Sequence, residues 1–94
     1  MDLPEKFKAI RGYFNQCQQI VLWPKKHRKK QLVLDFLIEK FEYDRIYTEK
    51  EVNMILNQHH IFEDPALLRR SFFGYKMMDR TIDGRQYWRI KKQK

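Results

Sequence analysis

The stretch from Asp64 to Gly74 has the most tightly specified local structure in the chain. Asp64 favours a helix start, because its carboxylate accepts hydrogen bonds from the free N–H groups of the first turn, and Pro65 suits the first helical position. Gly74 suits the left-handed position just past a helix end. The sequence therefore predicts a short helix whose start and end are both encoded locally.

This predicted helix has two different sides, since successive side chains are about 100° apart. The side that we expect to be buried carries Leu68, Phe72 and Tyr75. The opposite side carries Ala66, Arg69, Phe73 and Lys76, with Arg70 on its flank. We interpret it as a candidate recognition helix with a cationic outer face.

The two arginines and Phe73 allow several interpretations. On a DNA-reading helix, Arg69 and Arg70 would face the major groove or its phosphates, since arginine reads guanine with two parallel hydrogen bonds. Alternatively, one arginine is structural and pairs with Glu51 or Glu49 on the preceding helix. Phe73 suits stacking on a base, but also a protein interface, where aromatic residues and Arg are common.

The charge of the chain favours a polyanionic partner. Lys and Arg outnumber Asp and Glu by 20 to 12, a formal charge of +8 on 94 residues that fit one domain. Basic residues can also serve solubility alone. The single cysteine, Cys17, excludes an intramolecular disulfide and fits a reducing cytoplasm. The chain has no pattern of a secretory signal or membrane span, so we expect a cytoplasmic protein without a membrane partner.

Catalytic motifs are missing from the sequence. It contains no Ser nucleophile elbow, Gly-rich phosphate loop or Cys-x-x-Cys pair. His59 and His60 are adjacent, and neighbouring histidines in a turn rarely converge on one ion. We expect a non-enzymatic protein without a metal or cofactor.

A cluster of cations precedes the first strongly predicted helix of the core. Lys25, Lys26, Arg28 and Lys29 lie before or in the first turn of a helix whose apolar positions include Val33 and Leu37. Cations cost a few tenths of a kcal/mol each at this end of the helix dipole, and a phosphate would relieve that cost. The alternative is a solvated basic surface beside a core helix.

Further along, Thr48 and Glu51 form a capping-box pattern that predicts a second helix, and a short connector joins it to the Asp64 helix. Such a pair is typical of a helix-turn-helix. Asp83-Gly84 then predicts a β-hairpin. A two-residue loop would place Arg80 opposite Tyr87 for cation–π stacking, with Arg85 near the tip. A three-residue bulged loop would instead shift this register.

The N-terminal segment predicts an extension of this core. Apolar residues from Leu3 to Phe14 recur at helical spacing, with Asp2 and Glu5 as a capping box, and Ile20 to Trp23 is β-prone. We expect residues 1–23 to form this extension, 24–90 the core and 91–94 a basic tail. The N-terminal helix could also cover the outer face of the Asp64 helix.

Several separated blocks together resemble a known prokaryotic family, domain of unknown function 2087. The blocks are Pro24-Lys25-Lys26, Tyr47-Thr48-Glu49-Lys50-Glu51-Val52-Asn53, Asp64-Pro65-Ala66-Leu67-Leu68-Arg69-Arg70, Asp79-Arg80 and Tyr87-Trp88. The resemblance spans roughly residues 13–90. It implies a small winged-helix-type domain, found alone or attached to helix-turn-helix regulators, without an established activity. We expect this one to stand alone.

The sequence thus predicts an α+β winged helix, with an N-terminal helical extension and a C-terminal hairpin as the wing. We expect a nucleic-acid-binding module, acting as a DNA-binding transcriptional regulator or as a domain associated with one. The predicted contacts are Arg69, Arg70, Lys76, Arg85, Lys25, Lys26, Arg28 and Lys29. The alternative is a protein-interaction or dimerisation module that uses the Arg69/Phe73 face.

Overall fold

The computed structural model describes residues 3–91, and they form an α+β fold, as the sequence predicts. In chain order the elements are a 3-10 helix (Glu5–Tyr13), α1 (His27–Ile38), α2 (Glu49–Asn57), α3 (Pro65–Gly74), β1 (Met78–Arg80) and β2 (Tyr87–Arg89). Residues 92–94 of the predicted basic tail lie outside the described part. None of the helices within residues 3–91 is long and apolar enough to cross a membrane.

One hydrophobic core joins the helices and the hairpin. Its fully buried side chains include Phe7, Ile10, Val33, Leu34, Leu37, Val52, Leu56, Leu68 and Phe72. Burying a side chain of this size stabilises the fold by roughly 1.5–3 kcal/mol. The apolar faces predicted for α1, α2 and α3 therefore form this core.

The N-terminal helix differs from the predicted α-helix. It is a 3-10 helix that kinks at Ile10, and three-residue turns place Phe7 and Ile10 on one buried face. Phe7 and Phe14 pack edge-on against Phe36 of α1, with ring centroids 5.5 and 4.7 Å away. The extension thus docks on α1. Asp2 of the predicted capping box lies outside the described residues.

The β-prone run after Cys17 does not form a regular strand. Ile20 makes isolated bridges, antiparallel to Phe14 and parallel to His60. Its N–H donates to the carbonyl of His59 (2.8 Å), and its carbonyl accepts from the N–H of Ile61 (3.0 Å). The N-terminal extension is thereby tied to the turn between α2 and α3.

Both predicted helix starts are capped as the sequence indicates. The Thr48 hydroxyl accepts from the N–H of Glu51 (3.1 Å), and the Glu51 carboxylate accepts from the N–H of Thr48 (2.9 Å). Asp64 accepts from the N–H of Leu67 (3.1 Å) at the start of α3. These side chains satisfy backbone groups that have no partner inside the helix.

The buried side chain of His60 holds the turn between α2 and α3. The N–H of Asp64 donates to Nε2 (3.1 Å), so Nε2 carries no hydrogen, and Nδ1 donates to the carbonyl of Leu56 (2.6 Å). One neutral imidazole therefore links the end of α2 to the N-cap of α3.

The end of α3 differs from the sequence expectation. Gly74 is the last helical residue, and the left-handed residue is Lys76, with φ of 59°. Two hydrogen bonds close the end: the N–H of Lys76 donates to the carbonyl of Phe73 (3.1 Å), and that of Met77 to Phe72 (2.8 Å). This pattern is a Schellman motif with lysine where glycine is usual.

The hairpin has the predicted register but a different loop. Asp79 pairs with Trp88 and Arg80 with Tyr87. The N–H of Gly84 donates to the carbonyl of Thr81 (2.9 Å), and Gly84 has φ of 71°. The turn thus spans four residues, 82–85, rather than two.

A third backbone segment joins the hairpin before α2 begins. The N–H groups of Tyr47 and Tyr87 each donate to the other's carbonyl, both at 2.8 Å. Together these two bonds form an isolated antiparallel bridge. It places β2 between Tyr47 and β1, and it anchors the start of α2 beside the hairpin.

Candidate nucleic-acid interface

The outer surface of α3 lies beside the hairpin. Because Leu68 and Phe72 face the core, Arg70 and Phe73 point outward, and 48% of Phe73 is exposed. The N-terminal helix docks on α1 and leaves this aromatic side chain open. The occlusion considered from the sequence therefore does not occur at Phe73.

Arg69 is held by side chains of α2. Its guanidinium lies 3.1 Å from the carboxylate of Glu49 and donates a hydrogen bond to the side-chain oxygen of Asn53. Only 15% of its side chain is exposed. This contact matches the alternative in which one arginine pairs with the preceding helix, and it gives a role to Asn53.

Arg70 and Arg80 share a small pocket of about 220 Å³, which we call the Arg70–Arg80 pocket. Its lining residues are Glu49, Arg69, Arg70, Arg80 and Tyr87. Among the described residues, no carboxylate lies within 4.0 Å of the guanidinium nitrogens of Arg70 or Arg80. The two guanidiniums therefore leave the pocket with uncompensated positive charge.

Arg80 stacks on a different ring from the one predicted. Its guanidinium carbon lies 5.1 Å from the ring centroid of Phe73, within cation–π range. Tyr87, the predicted partner, is 7% exposed, whereas Phe73 presents an open ring. This stacking joins the hairpin to α3 and helps to position the guanidinium at the pocket.

The hairpin tip presents an apolar side chain in an ordered turn. Ile82 is fully exposed. The carboxylate of Asp83 accepts hydrogen bonds from the Thr81 hydroxyl (2.6 Å) and the N–H of Arg85 (3.0 Å), which lower the pKa of Asp83. Arg85 is 86% exposed and lies 3.7 Å from Asp83, so this carboxylate offsets part of its charge.

The other predicted cations form a second group at the start of α1. Lys25, Lys26 and Arg28 are exposed, while the ammonium of Lys29 lies 5.6 Å from the ring centroid of Tyr13. Nδ1 of His27 is 2.9 Å from the Tyr75 hydroxyl. This bond brings the basic start of α1 to the end of α3, where Lys76 follows.

Lys76 is exposed but separate from the Arg70–Arg80 pocket. It lines a different groove, together with Tyr75, Met77 and residues of α1. The structure thus divides the predicted site residues between the outer face of α3 with the hairpin and the end of α3 with the start of α1. Arg80 is absent from the contacts predicted from the sequence. The Asp79-Arg80 and Tyr87-Trp88 blocks, together with the predicted strand register, are the sequence features that point to Arg80.

A groove of about 650 Å³ lies on another part of the hairpin, and we call it the hairpin groove. Its lining includes Ile46, Asp79, Trp88 and Ile90. It shares no lining residue with the Arg70–Arg80 pocket. Within residues 3–91, no group of three or more His, Cys, Asp or Glu side chains is placed to hold a metal ion.

Comparison with known proteins identifies the family of this chain. The model of the family described as uncharacterised protein conserved in bacteria, DUF2087, matches residues 19–89. No curated protein and no solved structure shows significant similarity to the chain. The chain therefore belongs to the DUF2087 family, and the match begins after the N-terminal 3-10 helix.

Proposed function

We propose that this member of the DUF2087 family is a winged-helix module that binds duplex DNA and has no catalytic step of its own. The order of elements supports the proposal. Helix α1, the Tyr47 bridge, α2, α3 and the β1–β2 hairpin follow one another, and Tyr47 pairs with β2. This is the order of a helix-turn-helix with a three-segment wing, in which α3 would be the recognition helix.

The observation that carries the proposal is the uncompensated charge of Arg70 and Arg80 on the outer side of α3 and the hairpin. Guanidinium groups bind phosphate oxygens in a bidentate manner and read guanine in the major groove. A net charge of +8 adds a long-range attraction for the duplex. Both the local site and the whole chain therefore favour a polyanion.

The contacts have different roles in this proposal. Arg70 and Arg80 bind the groove edge at α3, and Arg69 positions α3 against α2 through Glu49. Ile82 and Arg85 at the hairpin tip contact the neighbouring minor groove, where apolar side chains often wedge between bases. The flanking phosphates are bound by the remaining predicted cations, Lys25, Lys26, Arg28, Lys29 and Lys76.

Fluorescence anisotropy with a labelled random duplex tests the proposal at two salt concentrations. For the five flanking phosphate contacts, the affinity should fall about 500-fold between 50 and 200 mM salt. The double variant Arg70→Gln with Arg80→Gln should bind much more weakly. The matched control, Lys8→Gln with Arg11→Gln on the N-terminal 3-10 helix, removes the same charge away from the site. Absence of binding at 50 mM salt would refute the proposal.

Phe73 supports a second candidate function, a protein-interaction module that uses the Arg69/Phe73 face. An aromatic side chain that is 48% exposed and flanked by arginine is common at protein interfaces. For self-association, sedimentation should show a concentration-dependent dimer that Phe73→Ser abolishes. A strictly monomeric protein across the concentration range would count against a homodimer.

A further inference from the structure

The Arg70–Arg80 pocket has the size and charge of a site for one small anion. Its volume of about 220 Å³ is below the roughly 300–1,000 Å³ of sites that enclose drug-sized ligands. Its lining contains three arginines and one glutamate. Because Glu49 lies 3.1 Å from Arg69, this pair offsets its own charge. Arg70 and Arg80 then supply the positive charge of the pocket.

The geometry around Arg80 holds this group in place before a ligand arrives. Its guanidinium stacks on Phe73, and Arg80 lies opposite Tyr87 in the strand pair. A Cβ built on Gly84 would lie 3.6 Å from Arg80 Nη1 and 3.8 Å from the Tyr87 hydroxyl. Both donors thus reach the same end of the turn. A preorganised donor loses less conformational freedom when it binds.

We propose that Arg70, Arg80 and the Tyr87 hydroxyl form a site for a single phosphate group. The guanidinium forks match a tetrahedral oxyanion, and the phenol adds one further hydrogen bond. If the phosphate belongs to a duplex backbone, this inference rests on the proposed function. A free phosphate has the same chemistry and fills the same pocket.

The first test follows the arginine Nε–Hε signals by NMR during titration with inorganic phosphate. Sodium chloride at equal ionic strength is the reference. Signals of Arg70 and Arg80 should shift and saturate with phosphate alone, whereas Arg85, which lies beside Asp83, should not. Tyr87→Phe should weaken the binding about tenfold, because it removes one charge-assisted hydrogen bond. Absence of a saturable shift with phosphate would overturn the site.

The second test separates this site from DNA binding as a whole. Arg80→Lys keeps the charge but removes the fork, so it should weaken phosphate binding and duplex binding together. Phosphate should also displace duplex more effectively than chloride at the same ionic strength. If Arg80→Lys and Arg70→Gln each bind phosphate like the wild type while duplex still binds, the site is wrong and DNA binding stands. If phosphate binds but duplex does not, the site stands and the proposed function fails.

Discussion

Replacing Lys76 by glycine should stabilise the protein, because Lys76 adopts the left-handed conformation that ends α3. At a positive φ, a residue with a Cβ costs about 1 kcal/mol relative to glycine. The side chain of Lys76 is exposed, so its removal takes little packing from the core. We expect Lys76→Gly to raise the free energy of unfolding by about 1 kcal/mol and the Tm by about 4–8 °C.

Thermal and urea unfolding followed by circular dichroism measure this effect. Lys76→Ala is the matched control, because it removes the same charge but keeps the Cβ at the left-handed position. Its stability should remain within about 0.5 kcal/mol of the wild type. If Lys76→Gly is no more stable than Lys76→Ala, the backbone conformation of residue 76 is not a source of strain.

The same two variants test the proposed phosphate contact of Lys76. Each loses one cation, so the slope of log affinity against log salt should become shallower by about 0.9 in both. The glycine variant would then be more stable yet bind duplex less tightly. Unchanged salt dependence in both variants would remove Lys76 from the proposed interface.

Three further predictions address the turn, the α2 cap and the hairpin tip. His60→Leu should lower the free energy of unfolding by about 2–4 kcal/mol, because it leaves the N–H of Asp64 unpaired. The control His59→Leu should lower it far less, and equal urea midpoints for the two variants would contradict this role of His60. The N–H of residue 48 lowers the pKa of Glu51, so this stabilisation is complete above its ordinary pKa of 4.5 and is lost as the pH falls through the lowered value. Glu51→Gln should therefore flatten the acid limb of a stability–pH curve, and an unchanged limb would exclude this role. Ile82→Ser should leave the Tm unchanged but weaken duplex binding, and wild-type affinity would remove the tip from the interface.

The parts of the fold that depend on neighbouring residues could be predicted from the sequence. The capping box of Thr48 and Glu51 and the cap of Asp64 use side chains within three residues of the backbone groups that they bind. The Asp83-Gly84 pair indicates the hairpin. The strands have the predicted register even though the loop is longer than predicted. Short-range hydrogen bonding is encoded locally, so it needs no tertiary information.

The end of α3 shows where a local rule fails. Glycine is the usual left-handed residue at a helix end, and the sequence offers Gly74 for this position. The helix instead continues through Gly74, and the end is closed by the hydrogen bonds of Lys76 and Met77. Met77 and Met78 are buried in the core. We infer that burial of the chain after α3 favours this end, which the preference for glycine alone does not indicate.

The sequence alone does not distinguish the roles of the two adjacent arginines. Arg69 and Arg70 differ by one residue, and only the position of α2 decides which of them meets Glu49 and Asn53. The stacking of Arg80 on Phe73 joins the hairpin to α3 in the same way. Tertiary packing therefore brings the residues of the Arg70–Arg80 pocket together from separate sequence motifs, and no one motif predicts the pocket.

The most direct test of the proposed function is an NMR titration of the ¹⁵N-labelled protein with duplex DNA. We expect the largest amide shifts along α3 around Arg70 and Phe73 and at the hairpin tip around Ile82. The hairpin groove around Trp88 should change little. Saturable shifts confined to that groove, or no shifts at low salt, would contradict DNA binding through α3 and the hairpin.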